Sequence, residues 1–106
     1  MPKVAALVKD NTALKLMLAG IRVEITNDPE TAQTRLDDLL ESDTGVVIVQ
    51  EEYRSQFSEF FTERLRRHKG LPLVVYCPAF EEEESNVDAY LSAVLKSAVG
   101  YEIRLE

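Results

Sequence analysis

Three groups of side chains in this sequence have the types needed for chemistry: the carboxylates Asp10, Glu51 and Glu52, the pair Cys77 and His68, and the run Glu81 to Glu84. Asp10 with Glu51 or Glu52 is a combination for general acid–base work, which needs carboxyl groups held within reach of one substrate. Cys77 and His68 are the sole thiol and the sole imidazole, so a thiolate–imidazole nucleophile would have to use both. A metal would have to rely on carboxylates, because one histidine and one cysteine do not complete a zinc shell. Four consecutive glutamates supply charge without a spacing that fixes coordination geometry. What these groups can do depends on where the chain puts them.

Val4 to Val8 is a short continuous apolar run, the pattern of a strand buried on both faces. Asp10 or Asn11 can cap a following helix whose stripe reads Ala13, Leu14, Met17 and Leu18, with Gly20 as its stop. Ile21 to Ile25 alternates with Arg22 and Glu24 and reads as an edge strand. Asn27 or Asp28 caps a second helix, with Pro29 in its first turn and Ala32, Leu36, Leu39 and Leu40 on its buried side. Val46 to Val49 is the most strand-like run and the expected centre of the sheet. A third helix from about Glu52 places Phe57, Phe60, Phe61 and Leu65 on one side and ends in Arg64, Arg66, Arg67 and Lys69, which suits its dipole. Gly70 and Pro72 lead into Leu73 to Cys77. Asn86 caps a last helix, Val87 to Val99, striped by Val87, Tyr90, Leu91, Val94, Leu95 and Ala98.

Strands alternating with helices force parallel pairing with right-handed crossovers. The expected fold is therefore α/β: one flavodoxin-like domain with a four-stranded parallel sheet of order 2-1-3-4 and helices on both faces. Residues 1–100 form this domain, and 101–106 form a C-terminal tail.

That architecture sorts the candidate chemistry. Ligands of open parallel sheets bind beyond the carboxyl ends of the strands, where strand order reverses. Here that crevice lies between Lys9-Asp10 and Gln50-Glu51-Glu52, beside Cys77-Pro78. The first turn, Lys9-Asp10-Asn11-Thr12, has no glycine to let backbone amides approach a phosphate, which argues against nucleotide binding. A response-regulator receiver shares the topology, but it needs a phosphoacceptor aspartate where Gln50 stands. His68 and Cys77 fall at opposite ends of the fourth strand, roughly 16 Å apart at about 3.3 Å per residue, so a dyad is excluded. Cys77 reads instead as a small buried hydrophobe and His68 as part of a basic helix end. The glutamate run reads as a solvated loop at a helix amino terminus. No catalytic, cofactor-binding or metal-binding residue is assigned, and no cofactor is expected.

Composition narrows the partners. The chain has 106 residues and a net charge of −7, against the basic patch that a nucleic-acid backbone or an anionic membrane requires. Its single cysteine forms no intrachain disulfide and suits a reducing compartment. Five apolar residues, Val4 to Val8, are too few for a signal or a membrane span, so a cytoplasmic protein without direct membrane insertion is expected.

Three stretches together resemble a known family. Thr12-Ala13-Leu14-Lys15-Leu16-Met17-Leu18-Ala19-Gly20-Ile21 is similar to a helix ending T-x-x-G-F-x-L-A-G, with Lys15 and Leu16 in place of Gly and Phe. Val46-Val47-Ile48-Val49-Gln50-Glu51, then Leu71-Pro72-Leu73-Val74-Val75-Tyr76-Cys77-Pro78, resemble a central strand and a proline-bracketed fourth strand. Val99-Gly100-Tyr101-Glu102-Ile103-Arg104-Leu105 resembles an aliphatic-Gly-aromatic-acid-Ile-basic ending. All three are features of the F subunits of the rotary V-type and archaeal or bacterial A-type ATPases. The resemblance implies a noncatalytic rotor subunit of the central stalk, coupling ATP hydrolysis or synthesis to ion transport. It implies the coiled-coil D subunit as partner, contact with the catalytic hexamer and regulation through the C-terminal helix, and a cytoplasmic position peripheral to the membrane. Tyr101, Ile103, Arg104 and Leu105 are the expected partner-binding residues, since a terminal segment need not be buried by its own domain and aromatics and arginine are enriched at interface cores. A standalone receiver-like adaptor lacking the phosphoacceptor is the competing expectation.

Overall fold

A computed structural model describes residues 3–77 and Ala93. The helix expected over 87–99, the run Glu81 to Glu84 and the tail 101–106 lie outside the described residues. Strands β1 (Val4–Val8), β2 (Arg22–Ile25), β3 (Val46–Gln50) and β4 (Leu73–Cys77) alternate with helices α1 (Asp10–Leu18), α2 (Pro29–Leu40) and α3 (Glu59–Arg67). The strands form one parallel sheet of order β2-β1-β3-β4. Registers such as Ala5↔Arg22, Ala5↔Val47 and Val47↔Val74 align the strands without a break. The order matches the sequence expectation, because apolar runs without alternation belong in the centre of a sheet covered on both sides.

The two faces carry separate cores. On one, Ala6, Val8, Val46, Ile48 and Cys77 pack with Ala13 and Leu16 of α1. On the other, Leu7, Val47 and Val49 pack with Ala32, Leu36 and Leu40 of α2, with Phe61 of α3, and with Tyr53 and Phe57 from the loop before it. Strand order reverses at β1, so right-handed crossovers in the two directions must leave by opposite faces. That is why α1 lies alone against α2 and α3.

Local chemistry fixes the helix ends. The Asp28 carboxylate accepts the Thr31 N–H at 2.7 Å and caps α2, with Pro29 in the first turn, and Ser58 Oγ accepts the Phe61 N–H at 3.1 Å to cap α3. Helix α1 stops in a Schellman motif: Gly20 N–H donates to Met17 O at 3.0 Å and Ile21 N–H to Leu16 O at 3.1 Å. Gly20 holds φ at +86° there, a conformation that any side chain would strain.

Two expectations are corrected. The buried side of α1 is Thr12, Ala13 and Leu16, whereas Leu14, Met17 and Leu18 are 62, 54 and 79% exposed. Both faces of this helix carry apolar residues, and periodicity alone does not say which one meets the sheet. The third helix also begins later than about Glu52. Glu51–Tyr53 forms a 3-10 turn, and α3 starts only after Ser58, leaving Phe57 and Phe61 buried but Phe60 84% exposed. The Ser58 cap shifts the helical phase away from the one that a single continuous helix would have.

Candidate functional site

The crevice expected at the reversal of strand order is present where β1 and β3 end. Lys9 is the N-cap of α1 and Gln50 the last residue of β3. The Lys9 N–H donates to Gln50 Oε1 at 3.2 Å, which joins the two loops. Lys9 Nζ donates to Glu52 Oε2 at 2.6 Å and lies 5.8 Å from the centre of the Tyr53 ring. The Glu52 carboxylate, through that hydrogen bond, holds the Lys9 ammonium above its ordinary pKa.

Beneath this surface pair runs a buried network. Tyr53 is fully buried, and its hydroxyl donates to the Thr26 carbonyl at 2.7 Å while accepting from Thr26 Oγ1 at 3.0 Å. Thr26 N–H in turn donates to Val8 O at 2.9 Å. The ends of β1, β2 and β3 are thus tied together through Thr26 and Tyr53. Gln50 is also fully buried, yet its Nε2 has no hydrogen-bond partner. An orphaned amide donor of this kind costs on the order of 1–3 kcal/mol.

The mouth of the crevice is an open depression of about 530 Å³ lined by Lys9, Asp10, Asn11 and Asn27. Its electrostatics suit no phosphate: Lys9 is committed to Glu52, and Asp10 places a carboxylate in the first turn of α1, where an anion would bind. For acid–base chemistry, Glu52 is held in an ion pair rather than left to exchange a proton with Asp10. Gln50 occupies the end of β3 as a neutral buried amide, so the position of a receiver's phosphoacceptor offers neither charge nor access.

The other candidate groups are kept apart. Cys77 is buried at the carboxyl end of β4, paired in register with Gln50. His68 Nε2 sits 3.0 Å from Pro72 O, at the amino end of that strand. The whole of β4 separates thiol from imidazole. Arg64 pairs with Asp37 at 3.3 Å and Glu41 at 3.8 Å, and Arg67 with Glu63 at 3.2 Å, so these helix-end cations hold α3 to α2 and to itself. Among the described residues no three His, Cys, Asp or Glu side chains are grouped to hold a metal, and no helix is long and apolar enough to cross a membrane. The expected partner-binding residues Tyr101, Ile103, Arg104 and Leu105 lie outside the described residues. The exposed apolar face of α1 is a feature that sequence reasoning missed, although Leu14 and Leu18 at helical spacing were its signal.

Comparison with known proteins accounts for a crevice without chemistry. The model of the ATP synthase (F/14-kDa) subunit family matches residues 4–94. The F subunit of a V-type ATP synthase from Thermus thermophilus is 25% identical over 103 residues, which cover 95% of this chain and 99% of that protein. The crystal structure of the V-type ATP synthase F subunit from Archaeoglobus fulgidus matches with a TM-score of 0.63 and 24% identity, over 72% of this chain and 96% of that one. At that identity the structural match speaks for the fold.

Proposed function

The chain belongs to the ATP synthase (F/14-kDa) subunit family, and from this we propose that it is a noncatalytic component of the central rotor of a V/A-type ATPase. In this reading it binds the coiled-coil D subunit and travels with the shaft while other subunits hydrolyse or make ATP and move ions. It sits on the cytoplasmic side, peripheral to the membrane. The observation that carries the reading is the family match across residues 4–94, nearly the whole α/β domain.

The geometry is in keeping with a binding role. The crevice where an α/β enzyme would hold its ligand is closed off by the Lys9–Glu52 pair and the buried Gln50. The large exposed side chains lie instead on the outer surfaces of helices, Leu14, Met17 and Leu18 on α1 and Phe60 on α3. Tyr101, Ile103, Arg104 and Leu105 belong to the proposed partner surface, and the segment 87–99 to a contact with the catalytic hexamer that restrains hydrolysis.

Co-expression with the coiled-coil D subunit of the same organism tests the reading. A stable 1:1 complex on gel filtration is expected, and truncation at Gly100 should weaken it without unfolding the domain. Separate elution of the two full-length proteins at micromolar concentration would refute the rotor role.

A further inference from the structure

Helix α1 buries one side against the sheet and presents an apolar stripe on the side facing away. At 100° per residue, Leu14 and Leu18 lie about 160° and 200° round the helix from the buried Leu16, and Met17 about 100°. All three are more than half exposed. A helix apolar on both sides is a helix with neighbours on both sides. Asp10 is exposed at about 120° on the same wheel, between Met17 and Leu14, so the stripe carries a carboxylate at its amino end.

We propose that the outer face of α1, formed by Asp10, Leu14, Met17 and Leu18, is the seat of a helix of the coiled-coil rotor shaft. This rests on the rotor reading above. Leu14 and Leu18, one turn apart, form the i, i+4 ridge that packs into the groove of a second helix. The shaft helix presents an apolar groove there. It also carries a Lys or Arg about 9 Å along its axis, opposite Asp10, six residues at 1.5 Å each from the middle of the stripe. Charge favours such a basic partner at longer range, since this chain carries a net −7. A second copy of this chain is a poorer occupant. Two helices of nine residues crossing through three apolar side chains each fall short of the roughly 800 Å² per partner that a specific dimer buries. A long shaft helix runs past both ends of α1 and adds contacts there.

The test measures binding to the D subunit by the full-length chain, its Leu14→Gln/Leu18→Gln double variant, Asp10→Lys, and Phe60→Gln. Phe60 is the control, being equally apolar and exposed but on α3, across the sheet from α1. The double variant should bind at least tenfold more weakly and Asp10→Lys should bind more weakly in low salt, while Phe60→Gln binds as the original. A photo-crosslinking residue at position 18 should label the D subunit and not a second copy. Because the altered positions are exposed, unchanged far-UV circular dichroism and urea midpoint are expected of all variants; if one unfolds, the crosslink decides. Unaltered affinity of the double variant, or a crosslink to a second copy, overturns this surface while leaving the rotor role intact. Failure of the original chain to bind overturns both.

Discussion

Removing the hydroxyl of Tyr53 should destabilise the domain out of proportion to the single oxygen lost. Tyr53 is fully buried, and Thr26 is 2% exposed, so water cannot replace what the hydroxyl provides. Tyr53→Phe breaks two hydrogen bonds at once, the one to Thr26 O at 2.7 Å and the one from Thr26 Oγ1 at 3.0 Å. A buried carbonyl left without a donor costs about 1–3 kcal/mol, and the threonine hydroxyl, free to rotate, costs less. The expected loss is therefore about 2–3 kcal/mol, a large share of the roughly 5–15 kcal/mol that holds an ordinary domain folded. At about 4–8 °C per kcal/mol for a chain of this size, the thermal midpoint should drop by roughly 8–20 °C. Urea unfolding, followed by circular dichroism, should show a lower midpoint at unchanged slope. The double variant Tyr53→Phe/Thr26→Val isolates the coupling: with the threonine hydroxyl gone, its loss should be smaller than the sum of the single losses. A Tyr53→Phe loss below about 0.5 kcal/mol, or strict additivity of the two changes, would show that the network does not tie the strand ends together.

Gln50 and Asp28 give two more predictions. Gln50→Leu gives up the bond from the Lys9 N–H but also removes an orphaned donor, so stability should change by less than about 1 kcal/mol, whereas Gln50→Glu buries a carboxylate and should cost about 3–5 kcal/mol at neutral pH. That penalty should shrink as the pH falls and the buried carboxyl protonates; a Gln50→Glu urea midpoint equal to the original at pH 7 would contradict the burial argument. The Thr31 backbone N–H, and then its hydroxyl, hold the Asp28 carboxyl below its ordinary pKa. A depressed folded-state pKa means that its stabilisation is present above the unfolded value near 4 and is lost as the pH falls through the lower, folded one. Asp28→Asn should thus lower the urea midpoint at pH 6 and flatten its fall toward pH 3, and parallel acid limbs for the two proteins would count against the cap.

The legible part of the fold lay in patterns that depend on neighbours in sequence. Val4 to Val8 and Val46 to Val49 lack polar alternation and so belong in the sheet's interior, while Arg22 and Glu24 mark an edge. The Asp28-Pro29 start of α2 and the glycine ending α1 are local chemistry, read from a few residues at a time. The family ending around Gly100 was legible in the same way, and the family match covers residues 4–94. The candidate site was legible only in outline: its position followed from strand order, but its lack of chemistry did not follow from residue types.

What sequence by itself determined, then, was the order, type and pairing direction of the elements, because hydrophobic period and end signals act within a turn or a strand. Tertiary structure alone decided three further matters. It chose Thr12, Ala13 and Leu16 over Leu14, Met17 and Leu18 as the buried side of α1, since a helix apolar all round offers no local reason to prefer either. It left Phe60 in solvent by starting α3 at the Ser58 cap. And it brought Tyr53 onto Thr26, 27 residues away, where a hydroxyl chosen for a buried partner cannot be told in sequence from one facing water. Each choice rests on contacts between distant parts of the chain, which form only when the sheet assembles.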